Sequence, residues 1–388
     1  MIERVLEGAR VVVCLGPGGV GKTTTAAALA VAGAQRGRKV AVLTVDPAAR
    51  LKDALELPEE PGKFHRIPLP DGTPGTLDAI LLDSKSLFDE LVTRLAPNFT
   101  VADRVLENPV YRNVAGAFAG SDAYMALEQL LDIVDNPAFD LIVVDTPPAS
   151  HALELFDAPE RILALLNSRA LEYLSEPIRI LGGATSRFTR GILSAVLDGL
   201  ERMTGLSLLG DISSLATDFA GVAPAFRRRA ESIHDLMRKD DTRYVLLASP
   251  DPHAARDTVQ FAADIDEFGI ALEAVVVNRV LRVSTDELPV PASEPVAVPS
   301  GEGWSATLAR NLVTCARELE VLQDSQRAVI DALRIGLAEI RGSGEEEPAT
   351  EPIWLELPAL SPAPTTLAQI ERLARGFASP PDLAMEWG

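Results

Sequence analysis

The sequence predicts an α/β protein with a doubly wound, mostly parallel sheet that carries one helical insertion. Short apolar runs alternate with longer segments of helical periodicity, which is typical of strands joined by crossover helices. About a hundred residues separate the fourth and fifth apolar runs, far more than one crossover helix requires. The predicted strands cover residues 11–15, 40–45, 77–83, 139–145, 244–249 and 272–278, with a seventh over 353–357.

A glycine-rich segment directly follows the first predicted strand. Residues 16–23 fit G-x-x-x-x-G-K-[ST] and lead into an alanine-rich helix. Strand, glycine loop and helix form the setting of a P-loop, whose backbone N–H groups bind a phosphate. In this motif Lys22 neutralises the β- and γ-phosphates, and the hydroxyl group of Thr23 holds Mg²⁺. The motif predicts a P-loop NTPase that binds its nucleotide through Gly16, Gly18, Gly19, Val20, Gly21, Lys22, Thr23 and Thr24.

Two aspartates end predicted strands, at the edge where α/β sheets bind ligands. Asp145 follows the apolar residues 142–144 in the Walker B pattern, which predicts contact with Mg²⁺ directly or through water. Asp46 ends the second strand, where it would orient a water molecule against the γ-phosphate or support the metal. Its alternative role is to cap a helix predicted over residues 48–55. The candidate catalytic residues are thus Asp46 and Lys22, and the candidate metal ligands are Thr23 and Asp145.

The helical insertion is expected over residues 151–240, inside a single domain that spans residues 1–388. Apolar residues recur there at spacings of three and four, which predicts an amphipathic helix with Pro224 as a candidate kink. Such a stripe either packs in the core or binds a client. The basic run Arg227-Arg228-Arg229 favours a solvated helix end. The stripe consists of Ile212, Leu215, Phe219, Val222 and Phe226.

The last hundred residues are expected to contain a loop, a long helix and a linker. Prolines between residues 288 and 299 predict an exposed loop, and a helix is predicted from about Trp304 to Arg341. Residues 342–352 read as a flexible linker, because they combine glycine, serine and a run of glutamates.

Composition narrows the classes of partner. The formal charge is −20, which disfavours binding to nucleic acid and to anionic membrane surfaces. The two cysteines, Cys14 and Cys315, have no C-x-x-C neighbour, so neither structural zinc nor a disulfide framework is expected. The sequence shows neither a signal peptide nor a membrane span, so a cytoplasmic protein is expected.

Several segments together resemble the ArsA-like anion-transporting ATPases, a family with a deviant Walker A loop. This family includes the arsenite-pump ATPase and the tail-anchored-protein targeting ATPase. Residues 145–153 resemble its switch II, and Asp46-Pro47-Ala48 resembles its switch I. Residues 275–279 resemble the base-recognition strand, which places Asn278 on the adenine of ATP. Pro358 and a helix predicted over residues 367–377 resemble the C-terminal loop over the base. Single-P-loop members of the actinobacterial type are the most similar, including at residues 118–126.

Three departures limit what the resemblance implies. The cysteines that bind arsenite or antimonite have no equivalents, and the zinc-binding C-x-x-C that joins two subunits of the targeting ATPase is missing. Pro17 stands where most relatives carry the signature lysine, which crosses a dimer interface to the partner's phosphates. The resemblance therefore implies either a homodimer or a heterodimer with a paralogous ATPase that supplies the lysine.

The leading hypothesis is an Mg²⁺-dependent ATPase that acts as a dimeric switch for a hydrophobic client, a transport protein or a membrane-protein partner. The alternative is a regulatory subunit that binds ATP, hydrolyses little and pairs with a lysine-bearing paralogue. A positioning ATPase of the MinD or ParA type needs a basic lipid- or DNA-binding surface, which the acidic composition disfavours. His151 either couples the γ-phosphate to the insertion or packs at a helix start.

Overall fold

The computed structural model describes residues 2–45, 60–109, 122–166, 208–281, 306–342, 351–360 and 366–377, together with residues 55, 57, 58, 111 and 364. Its strands are β1 (Val11–Leu15), β2 (Lys39–Thr44), β3 (Phe64–Arg66), β4 (Thr76–Leu81), β5 (Leu141–Asp145), β6 (Thr242–Ala248), β7 (Leu272–Val280) and β8 (Ile353–Pro358). Its helices are α1 (Ile2–Leu6), α2 (Lys22–Gln35), α3 (Ser84–Leu95), α4 (Phe99–Glu107), α5 (Asp122–Val134), α6 (Ala149–Leu166), α7 (Leu208–Met237), α8 (Pro252–Glu267), α9 (Ala306–Gly342) and α10 (Leu367–Gly376).

The strands of the described residues form one sheet in the order β3-β4-β2-β5-β1-β6-β7-β8. All neighbouring pairs are parallel except β3 with β4. The predicted doubly wound, mostly parallel α/β sheet is therefore confirmed. Because β1 lies between β5 and β6, with Cys14 opposite Asp145, the ends of three strands meet where β1 enters its loop.

Helices cover both faces of the sheet. On β1, Val11, Val13 and Leu15 face one side and Val12 and Cys14 face the other, as strand geometry requires. Buried residues of α1, α2 and α10 pack on the side of Cys14, whereas those of α3 to α9 pack on the opposite side. The strands are consequently buried on both faces, which explains their almost unbroken apolar runs.

Capping side chains mark where three of the helices begin. Asp83, predicted as the end of a strand, instead caps α3, because its side chain accepts a hydrogen bond from the Ser86 N–H at 3.1 Å. Asp251 caps α8 in the same way and accepts from His253 and Ala254, which lowers the pKa of its carboxyl group. Thr366 and Gln369 form a capping box at the start of α10.

The sequence did not predict β3. This strand has only three residues, two of them exposed, and it pairs antiparallel to β4 at the edge of the sheet. Arg66 donates from Nε to Asp78 Oδ1 at 2.9 Å, and Phe64 contacts Phe139 with ring centroids 4.9 Å apart. No apolar run marks so short an edge strand, because two of its three residues are exposed.

Within the proposed insertion, the described residues 151–166 and 208–237 are helical, and residues 238–240 form the turn that leads to β6. Helix α7 continues through Pro224. Val222 and Phe226 of the predicted apolar stripe are buried in the core, and Leu215 packs against it. For these residues the core interpretation is correct. The side chains of Ile212 and Phe219 lie outside the described residues, as do residues 167–207.

The prediction of a solvated helix end at Arg227-Arg228-Arg229 is wrong for Arg229. Its Nε donates to Glu128 Oε2 on α5, and its Nη2 donates to Asp132 Oδ1 at 2.7 Å. Glu128 is fully buried and also accepts from the Tyr124 hydroxyl group at 2.6 Å. Burial raises the pKa of Glu128, and the charge of Arg229 opposes that rise. The pair thus joins α7 to α5 below the surface.

The long helix predicted from about Trp304 to Arg341 is observed as α9, Ala306–Gly342. The proline loop, most of the expected linker at residues 342–352 and the helix expected over 48–55 lie largely outside the described residues. None of the helices in the described ranges is both long and apolar enough to cross a membrane.

We predict that Arg229→Leu lowers the free energy of unfolding by about 3–5 kcal/mol, because it leaves a buried carboxylate without its guanidinium partner. Chemical denaturation monitored by circular dichroism measures the loss. The loss should shrink as the pH falls, because the variant's Glu128, with its pKa raised further above the unfolded value, then takes up a proton.

The matched control is Arg104→Leu. Arg104 donates to Asp218 from Nη2 at 2.6 Å, but its side chain is 55% exposed, so this pair contributes far less. Equal losses in the two variants, or a loss that does not depend on pH, would contradict the assignment.

Candidate functional site

The P-loop occupies the turn between β1 and α2. Gly16 (φ +148°), Gly19 (φ +81°) and Gly21 (φ +94°) adopt backbone conformations that favour glycine. A Cβ atom at Gly16 would lie 2.5 Å from the carbonyl oxygen of Leu247 on β6. Val20 anchors the middle of the loop, because its side chain is buried with the helices on the α2 side of the sheet. The sequence motif thus forms a tight loop pressed onto the sheet.

Lys22 is the first residue of α2 and is 7% exposed. Its Nζ donates to the carbonyl oxygens of Gly16 at 2.9 Å and Pro17 at 2.8 Å. The ammonium group therefore lies against the loop itself. Thr23 and Thr24 follow in the first turn of α2 and are partly exposed, where the positive end of the helix dipole favours an anion.

Asp145 ends β5 and is fully buried beside the loop. Thr44, the last residue of β2, donates from its hydroxyl group to Asp145 Oδ2 at 3.2 Å. The Thr146 hydroxyl group donates to the carbonyl oxygen of Cys14 at 2.6 Å, which ties the start of the 145–153 segment to β1. Sequence reasoning did not single out Thr44 or Thr146, because their importance comes from which strands are neighbours.

Charge around Asp145 acts on its neighbour in β1. Burial raises the pKa of the Cys14 thiol strongly, the negative charge of Asp145 raises it further, and Lys22 opposes the shift. Cys14 is consequently a neutral thiol at physiological pH. Lys22 and Asp145 are both close enough to influence it, so the predicted phosphate-binding and metal-binding residues share one site.

The residues present fit a bound Mg²⁺–nucleotide. The close approach of loop to sheet needs the glycines, Lys22 supplies a positive charge, and the start of α2 supplies N–H groups. Thr23 and Asp145 offer the oxygen ligands that Mg²⁺ prefers, and phosphate and water oxygens supply the remainder. This donor set is suited to Mg²⁺ rather than to a thiol-preferring metal.

Asn278 and Pro358 lie at the ends of the neighbouring strands β7 and β8. Pro358 pairs with Val280, and the Ala359 N–H donates to the Val280 carbonyl oxygen at 2.9 Å. Asn278 is 7% exposed and donates from Nδ2 to the Val20 carbonyl oxygen at 2.9 Å. The structure therefore places Asn278 in contact with the P-loop, a contact that the sequence did not reveal.

Two candidates lie outside the description of the site. Asp46, with Pro47 and Ala48, falls among the residues that the structure does not describe, as does the side chain of His151. The segment after Asp145 is described: Pro148 approaches the loop, because a Cβ atom built on Gly18 would lie 3.8 Å from Pro148 Cβ. Helix α6 begins at the next residue.

Comparison with known proteins agrees with this geometry. The chain is 27% identical to "ATPase ASNA1 homolog" of Trypanosoma cruzi over 296 residues, covering 70% of this chain and 74% of that protein. It is 27% identical to "ATPase get3" of Neurospora crassa over 271 residues, covering 69% and 71%. It is 26% identical to "ATPase ARSA2" of Chlamydomonas reinhardtii over 270 residues, covering 69% and 66%.

The family profile described as anion-transporting ATPase matches residues 9–292. This match includes the P-loop, Asp145 and Asn278. Because the matched region covers most of the chain and contains the P-loop, Asp145 and Asn278, the chain belongs to the anion-transporting ATPase (ArsA ATPase) family.

Proposed function

We propose that this protein is an Mg²⁺-dependent ATPase whose nucleotide state drives a conformational switch in a dimer. One observation carries the proposal: buried Lys22 at the start of α2 and buried Asp145 at the end of β5 lie at the same loop. Their opposite charges match the two components of a metal–nucleotide complex. Family membership supports ATP as the nucleotide.

The proposed roles of the described residues follow from their positions, whereas that of Asp46 follows from the resemblance of its segment to switch I. The ammonium group of Lys22, now bound to two loop carbonyl oxygens, binds the β- and γ-phosphates, and the N–H groups of the loop and of α2 orient them. Thr23 and Asp145 would hold Mg²⁺, with Asp145 positioned by the hydrogen bond from Thr44. When bound, Mg²⁺ neutralises charge on the phosphates. Asp46 orients the attacking water molecule. Asn278 on β7 and Pro358 on β8 form one side of the proposed nucleotide site.

The switch would start at the segment that follows Asp145. Three residues connect β5 to α6, and Pro148 is near Gly18 of the loop. Helix α6 places Leu155 and Phe156 in the same buried core as α5 and α7. A change at the γ-phosphate is therefore conveyed through α6 to α5 and α7, which share its core. The client or transport partner is proposed to bind at α6 and α7.

The regulatory alternative has its own supporting observation. Pro17 is buried, offers its carbonyl oxygen to Lys22 and has no N–H. Because proline stands at this place, a homodimer of this chain lacks the signature lysine that most members of the family carry there. In a heterodimer, a lysine-bearing paralogue would supply that charge to this chain's site.

We predict that Lys22→Ala lowers ATP turnover by about 10²–10³-fold, because a preorganised charge at the phosphates is lost.

Asp145→Asn should weaken the Mg²⁺ dependence of turnover. Asp46→Asn should leave ATP binding intact but slow hydrolysis by about 10²-fold or more. Steady-state phosphate release and equilibrium binding of a fluorescent ATP analogue separate these effects. The control is Lys39→Ala. Lys39 is an exposed lysine at the amino end of β2, whereas the site lies at the carboxyl ends of the strands. Unchanged turnover in the Lys22 variant would refute the ATPase proposal.

We also predict that arsenite and antimonite do not stimulate turnover. Such ions need several thiolates, but Cys14 is a buried neutral thiol on the α2 face. Cys315 lies on α9, which packs on the other face. ATPase assays across a range of oxyanion concentrations test this. Saturable stimulation that disappears in Cys14→Ser or Cys315→Ser would show the prediction to be wrong.

The hypothesis that a paralogous partner supplies the signature lysine predicts slow ATP turnover by the isolated chain. Turnover should rise when a lysine-bearing paralogue is added. That rise should require Lys22 here and the extra lysine of the partner. Pro17→Lys should raise the activity of the isolated chain if only the missing charge limits it. Light scattering with and without a non-hydrolysable ATP analogue reports the oligomeric state. Turnover by the isolated chain that neither the partner nor Pro17→Lys increases would remove the reason for a heterodimer.

A further inference from the structure

The amide group of Asn278 packs against the peptide that joins Val20 to Gly21. Besides the 2.9 Å hydrogen bond from Nδ2 to the Val20 carbonyl oxygen, Nδ2 lies only 2.2 Å from where a Cβ atom at Gly21 would be. The requirement for glycine at the last turn of the P-loop therefore comes partly from Asn278. Strand β7 thus contacts the P-loop through the side chain of Asn278 and this peptide.

Arg279 fixes which way the amide group points. Its backbone N–H donates to Asn278 Oδ1 at 2.9 Å, so the amide oxygen is engaged and the nitrogen faces the carbonyl oxygen of Val20. Among the described residues, Arg279 is the one non-glycine residue with a positive φ, +66°. Left-handed backbone is unfavourable for a residue with a side chain. The strand register also shifts here, between Val277 and Val280 opposite β8.

The planarity of the peptide then decides the direction of the Gly21 N–H. In a trans peptide the carbonyl oxygen and the N–H of the next residue point to opposite sides. Because Asn278 holds the Val20 carbonyl oxygen toward β7, the Gly21 N–H points away from β7, at the junction of loop and helix where phosphates bind.

We propose that Asn278 is a positioning residue for the triphosphate: through Val20 it sets the Gly21 N–H of the P-loop, independently of the base. The inference rests on the proposed nucleotide-binding function and assigns Asn278 a role other than reading adenine. It also explains why a strand outside the P-loop motif ends in a buried amide beside that loop.

The test compares Asn278→Ala and Asn278→Leu with the unaltered protein. Both variants remove the hydrogen-bond donor. Alanine leaves space beside the loop, whereas leucine keeps the branched shape of asparagine with the same number of side-chain heavy atoms, so a folding defect in one does not prevent the measurement in the other. Affinities for Mg²⁺-ATP, Mg²⁺-GTP and tripolyphosphate are obtained by displacement of a fluorescent ATP analogue. Asn136→Ala is the matched control, because its Oδ1 also accepts a backbone N–H, from Ala138 at 2.9 Å, but on the segment that leads into the amino end of β5.

We expect affinity for ATP, GTP and tripolyphosphate to fall by a common factor of about ten, the effect of losing one buried hydrogen bond. The ratio of ATP to GTP affinity should stay constant. A weakened ATP affinity with unchanged tripolyphosphate affinity, or an altered ATP to GTP ratio, would overturn the inference in favour of base recognition. If tripolyphosphate does not compete, the ATP to GTP ratio decides.

The outcome also separates this inference from the proposed function. If neither the unaltered protein nor Asn136→Ala binds nucleotide, the proposed function itself fails. If both bind normally and the Asn278 variants match them, only the positioning role is refuted.

Discussion

The P-loop packs so closely onto the ends of β6 and β7 that two of its residues have no space for a side chain. At Gly16 the obstacle is the Leu247 carbonyl oxygen, and at Gly21 it is the amide group of Asn278. Val20, between them, is held by core packing on one side and a hydrogen bond on the other. The path of the loop is therefore set by its contacts with the sheet. The start of α2 and the position of Lys22 depend on that path.

Strand order supplies the second half of the site. Residues 14 and 145 are neighbours only because β5 pairs with β1. This pairing brings a buried carboxylate beside the loop that holds a buried lysine. Burying charges costs free energy unless polar groups surround them, and here loop carbonyl oxygens receive Lys22 while Thr44 donates to Asp145. Such an arrangement favours a ligand that carries both a cation and an anion.

The same core connects the site to the helical part of the chain. Helix α6 begins just after the Asp145 segment and packs with α5 and α7. The Glu128–Arg229 ion pair joins α5 to α7 within that packing, and the Arg104–Asp218 pair joins α4 to α7 nearer the surface. A buried pair such as Glu128–Arg229 has strict geometry, because displacement of one partner leaves the other with an unsatisfied charge. In the proposed switch, a motion of α6 would reach α5 and α7, which the Glu128–Arg229 pair joins.

Local sequence determined the elements that are long, apolar or marked by a motif. The strands through the centre of the sheet, the P-loop, α9 and α10 all have signals within a few consecutive residues, so they could be predicted. The edge strand β3 could not, because its three largely exposed residues are held by cross-strand partners such as Asp78. Likewise, the basic run in α7 was predicted to be solvated, because no local pattern indicates that Arg229 pairs with Glu128, about a hundred residues earlier.

For the site, the sequence by itself determined which residues are predicted to bind phosphate and metal: the glycines, Lys22, Thr23 and Asp145. Only the tertiary structure decided how they are held. The contacts of Asn278 with Val20, Thr44 with Asp145 and Lys22 with two loop carbonyl oxygens depend on backbone direction and strand order. Residue type sets the chemistry of a side chain, but only the packed chain sets its neighbours and hence its hydrogen bonds and burial.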